Sequence, residues 1–376
     1  MVLLGKGIEL GAETAGKTRG PGFFRGGVLA FAMALLASLS GPSAVKAQAW
    51  FTPGICHPDE IAINRDLLPE AEEARLEALA AQIPNGVGRM WKITAPGGQV
   101  SHLWGSYHSP APAIVDLPDA LREVLAQARV VTLEFDPAPK SQDDLGRFYD
   151  QAWIWNQTDN VYDERSDFPP EYLDYIRMRL ASLGWDPAYL PVMSDAGLLN
   201  VLLRDPCDDY LVGFAPGQDN YIAHTAWLAG AKVTGLQDNW AFGEELSDPK
   251  RAAEARAGAL LYSLYLGPQS AHPGLRGTAY ALYRQGRIGF ISAWSEAWAI
   301  EVLGEARGAE TVALADSYLL VERNAIWMGR IAPLADQGGA VFVVGSGHLP
   351  GDLGLVTMLR DAGYQVDRVP LPGEAE

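Results

Sequence analysis

The sequence predicts an α/β fold, and three observations carry that prediction. Apolar runs such as Val341 to Val344 have the continuous, β-branched character of strands covered on both faces. Longer stretches between such runs place their apolar residues at helical spacing. The two kinds of segment alternate, and the last of them, from Val341 to Val369, closes a strand, turn, helix, strand unit. With 376 residues, 48% of them hydrophobic and 20% charged, the chain has length for one large domain or two modest ones.

The N-terminal stretch stands apart from that pattern. After Arg19 and Arg25, the run Gly27 to Leu39 is small and apolar but too short to span a membrane as a stable helix, and Ser40 to Ala49 is rich in small residues. Val45-Lys46-Ala47 or Ala47-Gln48-Ala49 suits a signal peptidase. Residues 1–47 are therefore expected to be a signal peptide and 48–376 a periplasmic or secreted protein; the competing reading is an uncleaved anchor. No later segment holds about 18 uninterrupted apolar residues, so no stable membrane insertion is expected after cleavage. The formal charge is −17, and losing Lys6, Lys17, Arg19, Arg25 and Lys46 against Glu9 and Glu13 makes the remainder more acidic. Such a field repels phosphate backbones and anionic lipid, argues against a nucleic-acid partner, and suits a cationic ligand. The only two cysteines, Cys56 and Cys207, lack the paired spacing of structural zinc; in an oxidising compartment a disulfide between them is expected, with a metal site at Cys56-His57 as the alternative.

In chain order, Leu67 to Ile83 reads as a helix stopped by Pro84-Asn85-Gly86. Arg89 to Ala95 and Gln99 to Trp104 flank Pro96-Gly97-Gly98 as a β-hairpin. Leu117 to Ala128 is a helix opened by Pro118, and Arg129 to Phe135 a strand. About residues 140–216 the texture changes to helices and loops rich in aromatics, either a lid over a site or ordinary core. Asp219 to Gly230, Arg251 to Gly267 and Gly289 to Leu303 read as helices, the last with Trp294 and Trp298 one turn apart, and Ala231 to Leu236 as a strand. Asp316 to Leu334 is a helix whose Leu320, Trp327, Ile331 and Leu334 form one face, with Asn324 in the gap of that stripe. Gly351 to Ala362 and Gln365 to Val369 complete the chain as a helix and a strand.

Chemistry gathers where strands end. Two of the six histidines, His108 and His348, sit in Gly-x-x-His tetrapeptides just after a predicted strand, the edge where ligands bind in open α/β sheets. Either alone reads more readily as a hydrogen-bonded turn residue; the matched pair reverses that preference. Glu134 interrupts the apolar strand Val130 to Phe135, and such a carboxylate needs a cation, a metal, a set of donors, or a route to solvent. Asn324 requires specific partners on a buried face, and Arg323 beside it belongs either to a site or to a solvated cluster with Glu322.

Together these residues resemble the TraB/GumN family, grouped with the Tiki-type proteases and the erythromycin-esterase and ChaN-like fold. The resemblance runs from about Trp91 to Pro370. It rests on Gly105 to His108, Leu133 to Asp136, Gly217-Gln218-Asp219, Gly235-Leu236-Gln237, Glu322-Arg323-Asn324, Gly345 to His348 with Gly351, and Gly363 to Val366. It implies a single α/β domain over 48–376, with a central mixed β-sheet flanked by helices and a helical insertion, about 140–216, covering the site. It also implies that His108, His348 and Glu134 meet as a two-histidine, one-carboxylate site for a divalent Mn, Co, Fe or Zn ion. The Tiki branch cleaves peptides with such an ion. Glu134, Arg323 and Asn324 are then the expected catalytic residues, Arg323 or Asn324 stabilising an oxyanion, and the substrate an amide or ester, above all a peptide.

The sequence also departs from the family. Ser106 and Tyr107 replace the usual threonine and small or aliphatic residue, which places Tyr107 to narrow the site or donate a proton. Gln237 stands where the family commonly has glutamate, and an amide is neither a base at neutral pH nor a good ligand. Tyr107, Gln237 and Ser346 form the expected substrate-contacting set. The alternative function is a periplasmic protein that holds a peptide, haem-like or polysaccharide-precursor ligand in the same cleft without turnover. Gly345-Ser346-Gly347 is an incomplete serine-hydrolase elbow and is set aside.

Overall fold

The computed structural model describes residues 60–136, 162–182, 185–203, 217–265 and 274–375. The expected signal peptide, both cysteines with their expected disulfide, and Phe148, Tyr149, Trp153 and Trp155 of the aromatic stretch lie outside them.

The hairpin forms as the turn residues predict: β1 (Met90–Thr94) and β2 (Val100–Ser106) pair antiparallel. β3 (Val130–Phe135), β4 (Lys232–Gln237) and β5 (Ala340–Gly345) run parallel to β2 and to one another, and β6 (Gln365–Arg368) returns antiparallel to β1. The order β4-β3-β5-β2-β1-β6 is a mixed six-stranded sheet. β3 and β5 lie inside it, and their first five residues are buried on both faces, as continuous apolar runs require.

The helices are α1 (Glu70–Ala80), α2 (Asp119–Gln127), α3 (Pro170–Ser182), α4 (Asp195–Leu202), α5 (Gln218–Leu228) and α6 (Asn239–Leu246). They continue as α7 (Ala252–Tyr265), α8 (Leu275–Arg284), α9 (Ile288–Leu303), α10 (Glu305–Asp316), α11 (Arg323–Gln337) and α12 (Leu355–Asp361). On one sheet face, Trp327 and Ile331 of α11 and Val356 and Leu359 of α12 pack on Phe342 and Val344. On the other, Leu121 and Leu125 of α2 and Ile222 and Ala226 of α5 pack on Val341 and Val343. Alternation along β5 thus divides one strand between two cores, and each fully buried side chain of this size contributes about 1.5–3 kcal/mol.

A further helical layer is built from α3, α4, α7 and α10, around Tyr172, Ile176, Leu198, Leu260 and Ala315. The described part of the expected insertion joins this layer, and its aromatics divide: Tyr172 is core and Tyr162 exposed. Among the described residues, no helix is long and apolar enough to cross a membrane.

The helix expected to begin at Asp316 proves to be the end of a longer one. α10 runs through a π-helical turn, Ser317–Glu322, directly into α11. The wider turn shifts the phase of the helix. Tyr318 and Leu319 at the start of the turn pack in the helical layer, while Trp327 after it packs on the sheet.

Candidate functional site

β2 and β5 are adjacent and parallel, with Ser106 opposite Gly345, so the two Gly-x-x-His turns emerge side by side. The glycines are there for closeness. Gly345 has an ordinary negative φ of −53°, but a Cβ on it would lie 3.1 Å from Glu134 Oε1, 3.3 Å from His108 Nε2 and 3.7 Å from His348 Cδ2. A Cβ on Gly105 would strike Leu349 at 2.5 Å. What Gly345 provides is a cradle without a side chain.

Glu134, at the end of β3, fills the space between the histidines. Its Oε1 accepts the Gly345 N–H at 2.7 Å and lies 3.8 Å from His108 Nε2 and 3.6 Å from His348 Nε2. Its Oε2 accepts from Arg323 Nη2 at 2.7 Å. The strand's carboxylate is thus buried against a cation and a backbone donor, and Arg323 belongs to the site rather than to a solvated cluster. Burial alone would raise the Glu134 pKa, but the Arg323 charge, with both histidines and the Gly345 N–H, holds it well below the usual carboxylate range. The Arg323 guanidinium is walled by the rings of Phe135, Phe242 and Trp327, 4.9, 5.0 and 4.5 Å from their centroids.

Each imidazole is oriented through its other nitrogen. Asn324 Nδ2 donates to the carbonyls of Leu353, at 3.0 Å, and His348, at 3.3 Å. Its Oδ1 therefore faces His348 Nδ1 at 2.7 Å and requires a proton there, which leaves Nε2 with its lone pair toward Glu134. Burial pushes the His348 pKa down to about 3, against the Glu134 charge, so the ring is neutral. His108 Nδ1 donates to Asp219 Oδ2 at 2.7 Å, and Asp219 Oδ1 accepts from Ser106 Oγ at 2.6 Å. His108 faces the cavity with 45% of its side chain exposed. Its enclosure alone would lower its pKa; the Asp219 and Glu134 carboxylates outweigh that and raise it to about 9.

The remaining expected residues divide by position. Tyr107 and Ser346 line the cavity, Tyr107 against the rings of Tyr280 and Tyr283. Gln237 does not line it. Its Oε1 accepts from Arg323 Nε at 3.1 Å, because the parallel register ends β4 behind the guanidinium rather than beside the imidazoles. Its Nε2 is buried without a hydrogen-bond partner. Asn324 also lies outside the lining, and with both amide hydrogens directed at carbonyls it is a positioning residue, not an oxyanion donor. Sequence reasoning missed the role of Gln218 and Asp219 at the start of α5. Gln218 Oε1 accepts from Trp104, Tyr107 N and Tyr283, pinning the first histidine turn while Asp219 holds the ring. Their signal was the Gly217-Gln218-Asp219 string opening a helix, noted above without a role.

Among the described residues no three His, Cys, Asp or Glu side chains form a ready metal cage. The donor set at Glu134 nevertheless fits an ion. His348 Nε2 and Glu134 Oε1 are both acceptors facing each other, an opposition that a cation reconciles. His348 Nε2 and His108 Nε2 lie 3.6 and 3.8 Å from Oε1, near the roughly 3.4 Å between ligands about 2.1 Å from one tetrahedral centre. Both rings carry the outer hydrogen bond that typically orients a ligating histidine. The cavity they open into has a volume of about 690 Å³.

Fold and site together define an α/β protein with a two-histidine, one-carboxylate cleft at the carboxyl edge of its sheet. The model of the TraB/PrgY/gumN family matches residues 89–368, and the chain belongs to that family. No curated protein and no solved structure matches it.

Proposed function

We propose that the chain is an exported, metal-dependent hydrolase of peptide or other amide or ester bonds. The observation that carries this reading is the convergence of two oriented imidazole Nε2 atoms on one carboxylate oxygen at the floor of a large cavity. His108, His348 and Glu134 would hold the divalent ion, which supplies a water of lowered pKa and a positive pole for the substrate carbonyl. Asn324 fixes the tautomer of His348, which burial keeps neutral, and Asp219 does the orienting for His108. Arg323 keeps Glu134 ionised, which suits a ligand and makes it a weak base. In the overall reaction the water oxygen joins the carbonyl carbon, the carbon–nitrogen or carbon–oxygen bond breaks, and the leaving group takes a proton. Export rests on residues 1–47 acting as a leader; the mass of the protein recovered from a bacterial periplasm tests it, a full-length chain counting against.

A second reading is favoured by Arg323, which occupies Glu134 Oε2 and offsets its charge. It makes the cleft a ligand holder without turnover, for a peptide, a haem-like molecule or a polysaccharide precursor. The deciding measurement is the metal content of the mature protein beside His108→Ala and His348→Ala. Near-stoichiometric ion in the wild type, lost with peptide cleavage in both variants, is expected. A folded wild type that takes up no ion after loading with Mn, Co or Zn would overturn the hydrolase reading.

A further inference from the structure

The cavity extends well past the histidines, and its far wall is chemically unlike its floor. Ile291, Trp294 and Trp298 of α9 follow spacings of three and four, so they share one helical face, and that face lines the cavity. Leu275 of α8 and Tyr262 of α7 widen the same wall. Leu320, on the π-helical turn, joins wall to floor: a Cβ on Gly347, inside the second histidine motif, would touch Leu320 Cδ2 at 3.8 Å. From Ile291 to Trp298 the wall is about 10 Å long at 1.5 Å per residue. An extended chain advances about 3.3 Å per residue, so this wall faces about three residues.

The charges of the lining restrict what can lie there. Glu134, Asp136 and Asp219 are its carboxylates, and Arg323, paired with Glu134, is its one guanidinium among the described residues. The wall from α7, α8 and α9 carries no charged side chain among the described lining residues. An acidic side chain or a free terminal carboxylate would lose its water without gaining an unpaired cation.

We infer that the α9 wall is a substrate subsite for a bulky apolar or aromatic side chain, in an extended, internal segment of peptide free of acidic residues at the cleaved bond. The inference rests on the hydrolase reading for the word substrate, while the subsite itself is a matter of binding. It therefore predicts preference among capped tripeptides, acetyl-Ala-X-Ala-amide, measured by calorimetry on the mature metal-loaded protein. Peptides with X as Phe or Leu should bind at least about tenfold tighter than X as Asp. Leu320→Asp should erase that preference with metal content retained, and Ala279→Phe, which fills the cavity from α8, should weaken Phe and Leu peptides alike. Equal affinity for the three peptides, or an unchanged preference in both folded variants, would overturn the subsite. Selective binding without cleavage would uphold the subsite and sink the hydrolase; cleavage indifferent to X would do the reverse.

Discussion

His108 and His348 end identical tetrapeptide patterns on adjacent parallel strands, yet the protein holds them in opposite states. His348 is 4% exposed, lies 4.4 Å from the Trp327 ring centroid, and leans on a neutral amide. His108 opens to the cavity and leans on a carboxylate. The first is kept neutral down to about pH 3 and the second stays protonated up to about pH 9. The shared motif therefore determines where a ring stands, while burial keeps His348 neutral and the carboxylates of Asp219 and Glu134 hold the charge on His108. One ring is a permanent lone-pair donor; the other must release a proton before it becomes one.

The largest test removes what the two rings share. Glu134→Gln leaves Arg323 buried and unpaired among three aromatic rings, and a loss of about 3–5 kcal/mol in urea unfolding is expected. A loss below about 1 kcal/mol would show that the carboxylate is not their common anchor. Next, Asn324→Leu strands two carbonyls and the His348 N–H, with an expected cost of about 1–3 kcal/mol and release of the ring's tautomer in nitrogen NMR.

Asp219→Asn should make His108 resemble its counterpart. The folded pKa of His108 lies above its unfolded value near 6.5, so its contribution to stability is complete below about pH 6.5 and lost as pH rises through about 9. In Asp219→Asn the NMR titration midpoint should fall by roughly a unit or more and that window should shrink. An unmoved midpoint would break the contrast drawn here. The smallest effect calibrates burial on a group that has no ion-pair partner among the described residues. Half-buried Asp316 is pushed up to about 6 by burial, aided by Glu296. Because its folded pKa is raised, stability should decline as pH rises from about 4 to 6, and Asp316→Asn should gain about 1 kcal/mol at pH 7 and nothing at pH 3.5. Equal gains at both pH values would remove ionisation as the cause.

What could be read from the sequence follows the range of the interactions involved. The central strands and most helices are local patterns, and the polar gap at Asn324 in the α11 stripe pointed to a partner, found in His348. α8 escaped notice although its apolar residues are one-sided in sequence; in the fold it is buried nearly all round, with Arg276, Gly277 and Thr278 in the core beside Leu275 and Tyr280. α10 has four alanines among its twelve residues and offers little apolar contrast to read. Asp219 is 111 residues from His108, and only tertiary packing brings them together. Gln237 was readable as a missing carboxylate, but its place behind Arg323 depends on strand register, which periodicity does not report.

The π-helical turn before Arg323 makes the helix that carries it behave as two gears on one shaft. An α-helical residue turns the chain by about 100°, and the wide turn absorbs one such residue; were Ser317 to Glu322 to wind at ordinary pitch with none removed, one half would rotate against the other by about that angle. Either Tyr318 would leave the helical layer, or Arg323 would swing off Glu134. The length of that turn, more than the identity of its residues, therefore sets the timing between the wall of the cavity and its floor.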